Sequence, residues 1–394
     1  MRLLPLACAL LMAACARAGS PTLPNDATQA RQGDLHSATA TFKHLLSFNG
    51  SDGKAPDARL VDAGGVLYGT AYSGGVHDEG AVFAFTTSGK LTVLHNFKGD
   101  RDGSLPLASL LSVNGTLYGT TVNGGGANGE GVVFAVTSSG AESVVHRFSG
   151  GSDGANPYAG LVNLNGTLYG TTAGGGSSSA GTVYTISTSG KETVIYEFGH
   201  RQNDGATPVA SLTEVGSTLY GTTEYGGTGC GSSGCGTIFK ISKSGSESVV
   251  YAFKGGSKDG SQPSSSLVDL NGTLYGTTTF GGAANAGIVF KVSPAGAERI
   301  VYNFQGGTKD GAEPQGLSVL KGTLYGTTFA GGSSNLGTLF ALTTAGKESL
   351  IHTFKGGIDG AMPRAPLFAS NGTLYGTTAA GGGNQAGTIF SITP

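Results

Sequence analysis

The residues able to do chemistry fall into two groups in this 394-residue chain: those that recur at a regular spacing and those that do not. The recurring group is led by an aspartate before glycine, at Asp52, Asp102, Asp153, Asp204, Asp259, Asp310 and Asp359, each followed within a few residues by a proline. Seven carboxylates on one face could coordinate cations or accept sugar hydroxyls. Aspartate before glycine also bonds its own backbone and tolerates turn geometry, and the proline stiffens entry into the next strand, so a turn role is the stronger expectation. His95, His146 and His352 recur at one position and read as a shared structural site. No Asp-x-Asp-x-Asp calcium loop occurs, and no metal site is expected.

The residues outside the repeat carry more functional information, because repetition does not account for them. They are His77, Asp78 and Glu79, then Glu130, then Glu224 and Tyr225, then Phe280 and Phe329. Aromatic faces stack on apolar sugar faces and carboxylates accept hydroxyls, so this set suits a glycan or a protein ligand. Two carboxylates among Glu79, Glu130 and Glu224 could instead serve a hydrolase, which makes a carbohydrate-active enzyme, hydrolase or lyase, the alternative reading. Motifs for other chemistries are absent: there is no G-x-S-x-G elbow, HExxH, P-loop or strand-to-helix GxGxxG. No cofactor and no catalytic residue is expected. Charged residues make up 12% and the net charge is −2, which argues against nucleic acid as a partner.

The first 18 residues, one Arg, a short apolar run and then small residues, have the layout of an export signal. Met12-Ala13-Ala14-Cys15 offers a lipobox-like alternative in which Cys15 is lipidated, and the polar stretch 19–37 would then be a tether. The expected location is the outer membrane as a lipoprotein, or secretion or the periplasm without an anchor. Any membrane contact would run through that anchor alone. Cys230 and Cys235 are the pair within the folded body, and in an exported protein they are expected to form a disulfide.

The elements that must position these residues are set by a repeat. The string LYGT places a tyrosine at Tyr68, Tyr118, Tyr169, Tyr220, Tyr275, Tyr325 and Tyr375, at spacings of 50, 51, 51, 55, 50 and 50. Two further markers keep the same count. An aromatic after GT(V/I) falls at Phe83, Phe134, Tyr184, Phe239, Phe290, Phe340 and Phe390, and one before the Asp-Gly turn at Phe48, Phe97, Phe148, Phe198, Phe253, Phe304 and Phe354. Within a unit, turn signals separate four β-type runs, here named A to D: residues 108–113, 116–122, 132–137 and 142–148. With 71 glycines and no collagen period, glycine is a turn residue here. A four-stranded unit of this length is a propeller blade and is too long for one coil of a solenoid.

The chain ends after strand C of the seventh unit, while residues 41–48 supply a D strand with no A, B or C before it. An N-terminal strand completing the last blade would close the ring and remove an exposed sheet edge. The expectation is an all-β, monomeric, seven-bladed propeller over residues 38–394. The D-to-A and B-to-C loops share one face, which carries the Asp-Gly turns, both cysteines and every non-recurring residue named above. The glycine inside LYGT calls for a close neighbour, and the seven LYGT tyrosines are the expected partners and core residues.

The unit GTLYGTTxxGGxxxxGTvFxixxxGxExvvhxFxGgxDGaxP resembles the GloVer-type (Gloeobacter/Verrucomicrobium) tandem repeat, across residues 38–394. That resemblance implies an exported bacterial propeller acting as a surface or secreted binding module, and it carries no catalytic residue with it. The GCGSSGC insertion in the fourth unit departs from the pattern and lengthens one B-to-C loop.

Overall fold

The computed structural model describes residues 40–394. The export signal, Cys15 and the stretch to residue 37 lie outside the described residues. Seven four-stranded antiparallel sheets and two short two-stranded ribbons make up the described sheet structure. In blade 1 the strands are A Val61–Ala63, B Val66–Ala71, C Ala81–Phe85 and D Leu91–Asn96. Blade 7 comprises Phe368–Ser370, Thr373–Thr378 and Thr388–Thr393, and its D strand is Thr41–Ser47, paired from Thr41 with Thr393 to Ser47 with Thr388. The ring therefore closes through both ends of the described chain. Consecutive A strands neighbour one another around the axis, which leaves the D strands outermost.

Outside blade 6, where the first strand runs Gly311–Leu320, strand A is shorter than the sequence pattern indicates, Leu111–Val113 in blade 2. The preceding residues are bonded across the seam instead of within their own sheet. In every blade but the third, where Thr171 is buried without a partner, the LYGT threonine donates its hydroxyl to a carbonyl ahead of strand A in the next: Thr120 to Ala159 at 2.9 Å and Thr327 to Ala365 at 3.0 Å. The ring-closing copy runs from Thr377 to Ala58 at 3.4 Å.

Each seam buries one apolar cluster drawn from the two facing blades, as with Tyr68, Val82 and Phe97 against Leu110, Leu117 and Phe134. The LYGT tyrosines lie in these clusters, 4–8% exposed in blades 1 to 6, as expected of core residues. At the centre of every seam the phenylalanine that ends strand D meets the strand C aromatic of the next blade edge-on. The seven pairs, from Phe48–Phe83 to Phe354–Phe390, have centroids 5.0–5.4 Å apart. Such a pair adds roughly 0.5–1.5 kcal/mol to its burial.

That strand C ring also explains the glycine of LYGT and corrects the expected partner. Gly69 pairs directly with Phe83 across the B–C ladder, and a Cβ added at Gly69 would stand 2.5 Å from the Phe83 ring. The same holds from Gly119 with Phe134 to Gly376 with Phe390. The tyrosine beside the glycine points to the other face of the strand and into the other seam, as the twofold alternation of a strand requires. In blade 3 the ring is Tyr184, whose hydroxyl is fully buried without a hydrogen-bond partner.

The Asp-Gly aspartates are turn residues at the outer edge. Every one accepts a backbone N–H from the end of the preceding D strand, for example Lys98 to Asp102 at 3.1 Å and Gly199 to Asp204 at 2.9 Å. Six also take a strand D side chain: His95, His146 and His352 bond Asp102, Asp153 and Asp359, while the Tyr196, Tyr251 and Tyr302 hydroxyls donate to Asp204, Asp259 and Asp310. A glutamate from the next blade's D strand faces five of these pairs: Glu142, Glu192, Glu247, Glu298 and Glu348, each with Oε1 buried and unpartnered. Phe42 and Leu91 hold that position at the other two seams. Burial first, and the neighbouring aspartate second, push Glu142, Glu192, Glu298 and Glu348 up to about 7.

These contacts generate three expectations. Tyr184→Phe removes an unsatisfied buried hydroxyl and should stabilise the protein by about 1 kcal/mol or more in a urea titration, whereas loss of stability would mean the hydroxyl is in fact bonded. Gly276→Ala drives a Cβ into Phe290 and should cost about 1–3 kcal/mol. Combined with Phe290→Leu, its cost should shrink, and strict additivity would show that the ring is not what glycine accommodates. The raised glutamates hold protons in the folded chain that the unfolded chain releases near pH 4.5, so stability should fall as pH rises from about 4.5 to 7 and level off above. His95 and His352, lowered chiefly by burial, act in the opposite sense below pH 6.5 and are fewer. The melting temperature should be lower at pH 8 than at pH 5, and Glu298→Gln should flatten that slope.

Candidate functional site

The A strands and the residues leading into them line a cavity of about 710 Å³ around the axis. Its wall is built by one repeated segment, proline followed by x-Ala-x-Leu in most blades. The proline is held by the preceding blade: Pro106 Cδ would be 2.5 Å from a Cβ at Gly80, and Pro56 closes the ring in the same way on Gly387. The residue before each proline takes a left-handed conformation, φ 52–59° from Ala55 to Met362. Its N–H bonds the previous blade, as from Leu105 to the Glu79 carbonyl at 2.9 Å and from Ala55 to Ala386 at 2.9 Å. This conformation is unfavourable ahead of proline, so the seam contacts must impose it. Side chains one and three places after the proline are thereby aimed at the axis.

Those two places are where the repeat is not kept. One place after the proline the blades supply Asp57, Leu107, Tyr158, Val209, Ser264, Gln315 and Arg364 to the cavity wall. Three places after, they supply Arg59, Ser109, Gly160, Ser211, Ser266 and Pro366, and blade 6 lacks a residue here, which shifts its A–B register between Pro314 and Leu317. The wall is thus neutral from blade 2 to blade 5 in these places, and charged where blades 7 and 1 meet.

Within the charged sector the Arg364 guanidinium lies 4.7 Å over the Phe329 ring. Arg59 donates Nε to the Leu367 carbonyl at 3.0 Å and lies 5.3 Å over Phe368, which fixes its planar head and leaves its terminal nitrogens for other partners. Asp57 Oδ1 is buried without a hydrogen-bond partner. Burial raises the Asp57 carboxyl to about 7, against the opposing pull of Arg364. Glu313 is likewise raised by burial and lowered by Arg364. Arg364 therefore acts on two carboxyls without an ion pair to either and covers an aromatic face, an arrangement that can take an anion, a hydroxyl and an apolar ring face together.

Of the residues singled out in the sequence, Phe329 packs under Arg364, a residue of this wall. Glu224 holds the same register position two blades earlier, with its N–H on the Thr207 carbonyl at 3.0 Å, and burial raises its carboxyl. Tyr225 and Phe280 stand in the two-residue ribbons Tyr225–Gly226 and Phe280–Gly281. Burial raises the Tyr225 phenol, and Glu224 adds to that. Glu79 and Glu130 lie against Gly99 and Gly150 in the turns that follow their own D strands, at two separate seams. His77 is exposed beside Asp78, which accepts the Gly74 N–H at 3.0 Å. The eight residues are thus spread over several blades. Asp57, Arg59, Glu313 and Arg364 escaped the sequence reading. The signal for them was present: aligned on their prolines, the units differ in every blade at the places on either side of it, Glu313 just before and Asp57 and Arg364 just after.

Cys230 and Cys235 form the expected disulfide, with Cα atoms 5.1 Å apart, and it closes the lengthened loop of blade 4. No helix among the described residues is long and apolar enough to cross a membrane.

No curated protein matches this chain in sequence. Among solved structures it is similar to a putative 6-phosphogluconolactonase from Bacteroides uniformis, at 15% identity over 75% of this chain and 84% of that one, with a TM-score of 0.50. It is also similar to PorZ, a surface component of the type-IX secretion system of Porphyromonas gingivalis, at 14% identity and a TM-score of 0.53. That likeness covers 85% of this chain and 46% of PorZ. Identities this low show a shared propeller fold alone. The model of the Gloeobacter/Verrucomicrobia repeat matches residues 33–231, 125–321 and 228–394, overlapping stretches that take in every blade. The chain belongs to the Gloeobacter/Verrucomicrobia repeat family.

Proposed function

We propose that this protein is an exported, non-catalytic binding module whose ligand seats in the axial cavity against the wall of blades 6, 7 and 1. The observation that carries this reading is that Arg59, Arg364 and Asp57, whose Oδ1 has no hydrogen-bond partner, line one sector of a cavity whose other two carboxylates, Glu214 and Asp269, belong to blades 4 and 5. A buried polar atom without a partner is costly, and a ligand hydroxyl would satisfy it. Guanidinium groups held by stacking or by a backbone carbonyl are suited to a carboxylate, since their planar donors are already oriented. The ligand class that joins hydroxyls, a carboxylate and an apolar ring face is an acidic oligosaccharide. A cavity of about 710 Å³ is the size of sites that hold ligands of a few rings. The Cys230–Cys235 disulfide supports an oxidising location, and the sequence of the first 18 residues supports export.

Calorimetric titration with galacturonic acid oligomers, and with neutral galactose oligomers of the same length, tests the reading. Saturable binding of the acidic series is expected. Arg364→Ala should weaken it by roughly tenfold or more, the loss of a hydrogen bond to a charged group. Asp57→Asn should weaken both series alike. Equal affinity for the neutral and acidic series would remove the role of the arginines, and no binding of either would remove the oligosaccharide.

A further inference from the structure

We propose that the seam between blades 2 and 3 binds one divalent transition-metal ion through His146, Asp153 and Glu192. Each of these side chains offers one ligand atom, and the three atoms all lie within 4.8 Å of one another. The His146 Nε2 to Asp153 Oδ1 distance is 3.2 Å. Two ligands bound at about 2.0–2.2 Å to a tetrahedral zinc ion stand about 3.3–3.5 Å apart, so this pair needs almost no adjustment. The other Asp153 oxygen already accepts the Ser149 N–H at 2.7 Å and its hydroxyl at 2.9 Å, which fixes the carboxylate and leaves Oδ1 for the ion. Glu192 Oε1 is buried and has no hydrogen-bond partner. The imidazole and the aspartate are 18% and 21% exposed, so water can complete the shell.

Comparison with the equivalent seams separates this site from a turn motif that merely repeats. At the blade 3, 4 and 5 seams a tyrosine replaces the histidine and its hydroxyl donates to the aspartate, so a proton stands where an ion would. At the blade 1 seam, Arg147 and Lys98 act on Glu142 and offset the two carboxylates. At the blade 6 seam the His352–Asp359 bond closes to 2.8 Å, and the Phe42 ring, stacked 3.9 Å from the imidazole, holds the place of the glutamate. Among the charges that act on Glu192 there is Asp153 and no cation. The blade 2 seam therefore combines an imidazole with two carboxylates, a donor set suited to zinc or its neighbours more than to calcium.

The test is equilibrium dialysis of the full chain against micromolar Zn²⁺ at pH 7.5, with bound metal measured by mass spectrometry and a parallel run in Ca²⁺. About one equivalent of zinc should be retained, with a rise in melting temperature that EDTA reverses. His146→Ala and Glu192→Gln should each weaken zinc binding by about tenfold or more. His352→Ala, at the seam completed by Phe42, should leave the stoichiometry unchanged. Glu192→Gln keeps the side-chain volume, and its melting curve without metal shows whether the blade is intact. Failure of the parent chain to retain zinc, or retention undiminished in both variants, overturns the proposal.

Discussion

The edge-to-face contact between the phenylalanine ending one D strand and the strand C aromatic of the next blade is the interaction on which the rest of this structure depends. It occurs at all seven seams within a narrow range of separations, 5.0–5.4 Å. A ring of that size can lie flat against the B strand only if the residue across from it has no side chain, which makes the LYGT glycine obligatory. Glycine in the middle of a strand ordinarily weakens it. Here the aromatic fills the space that a Cβ would take, and the ladder keeps its register.

That contact fixes the spacing of blades, and the spacing in turn sets the backbone ahead of strand A. With the seam closed, the proline of one blade meets the glycine of GT(V/I)F in the blade before it, and the preceding residue is held left-handed even where it is Thr207 or Glu313. The LYGT threonine then finds the next blade's carbonyl within reach. Aromatic, glycine, proline and threonine are thus one linked device, and none can change type without disturbing its partners. Interfaces of this kind make stability a sum over near-identical nearest-neighbour terms.

The same linkage explains which parts were legible in the sequence. The number of blades, the closure by Thr41–Ser47 and the disulfide were readable because each is marked by repeated or paired residues. The partner of the LYGT glycine was not, because Gly69 and Phe83 meet only once the B–C register is fixed, and the adjacent Tyr68 competes for the same role in a one-dimensional reading. The outer aspartates needed a radial position that spacing does not supply: sheet order places them at the D edge, away from the axis. The cavity wall was hidden for a third reason. Asp57 and Arg364 lie at opposite ends of the chain and become neighbours only through ring closure.

A propeller built from one repeated unit has no asymmetric site unless some positions are released from the repeat. The seam device demands the aromatic, the glycine and the proline, but it leaves the places after the proline with no packing duty, because they face the axis. Variation is tolerated there at little cost to the fold, and that is where the units differ, from Ser264 to Arg364. In these places the charges, Asp57, Arg59 and Arg364, collect where the last blade meets the first. That seam is also the most individual of the seven at its outer edge, where Leu46 stands in the place held elsewhere by histidine or tyrosine and Leu91 in the place held by glutamate at five other seams. An apolar outer edge needs no buried proton or counterion, so the outer part of the closing seam holds by packing, while the axial side of the same blades carries Arg59, Arg364 and the unpartnered Oδ1 of Asp57. The repeated contacts and the side chains released from the repeat are in this way assigned to different radial zones of each blade, and the propeller fold by itself dictates no single use of the axis.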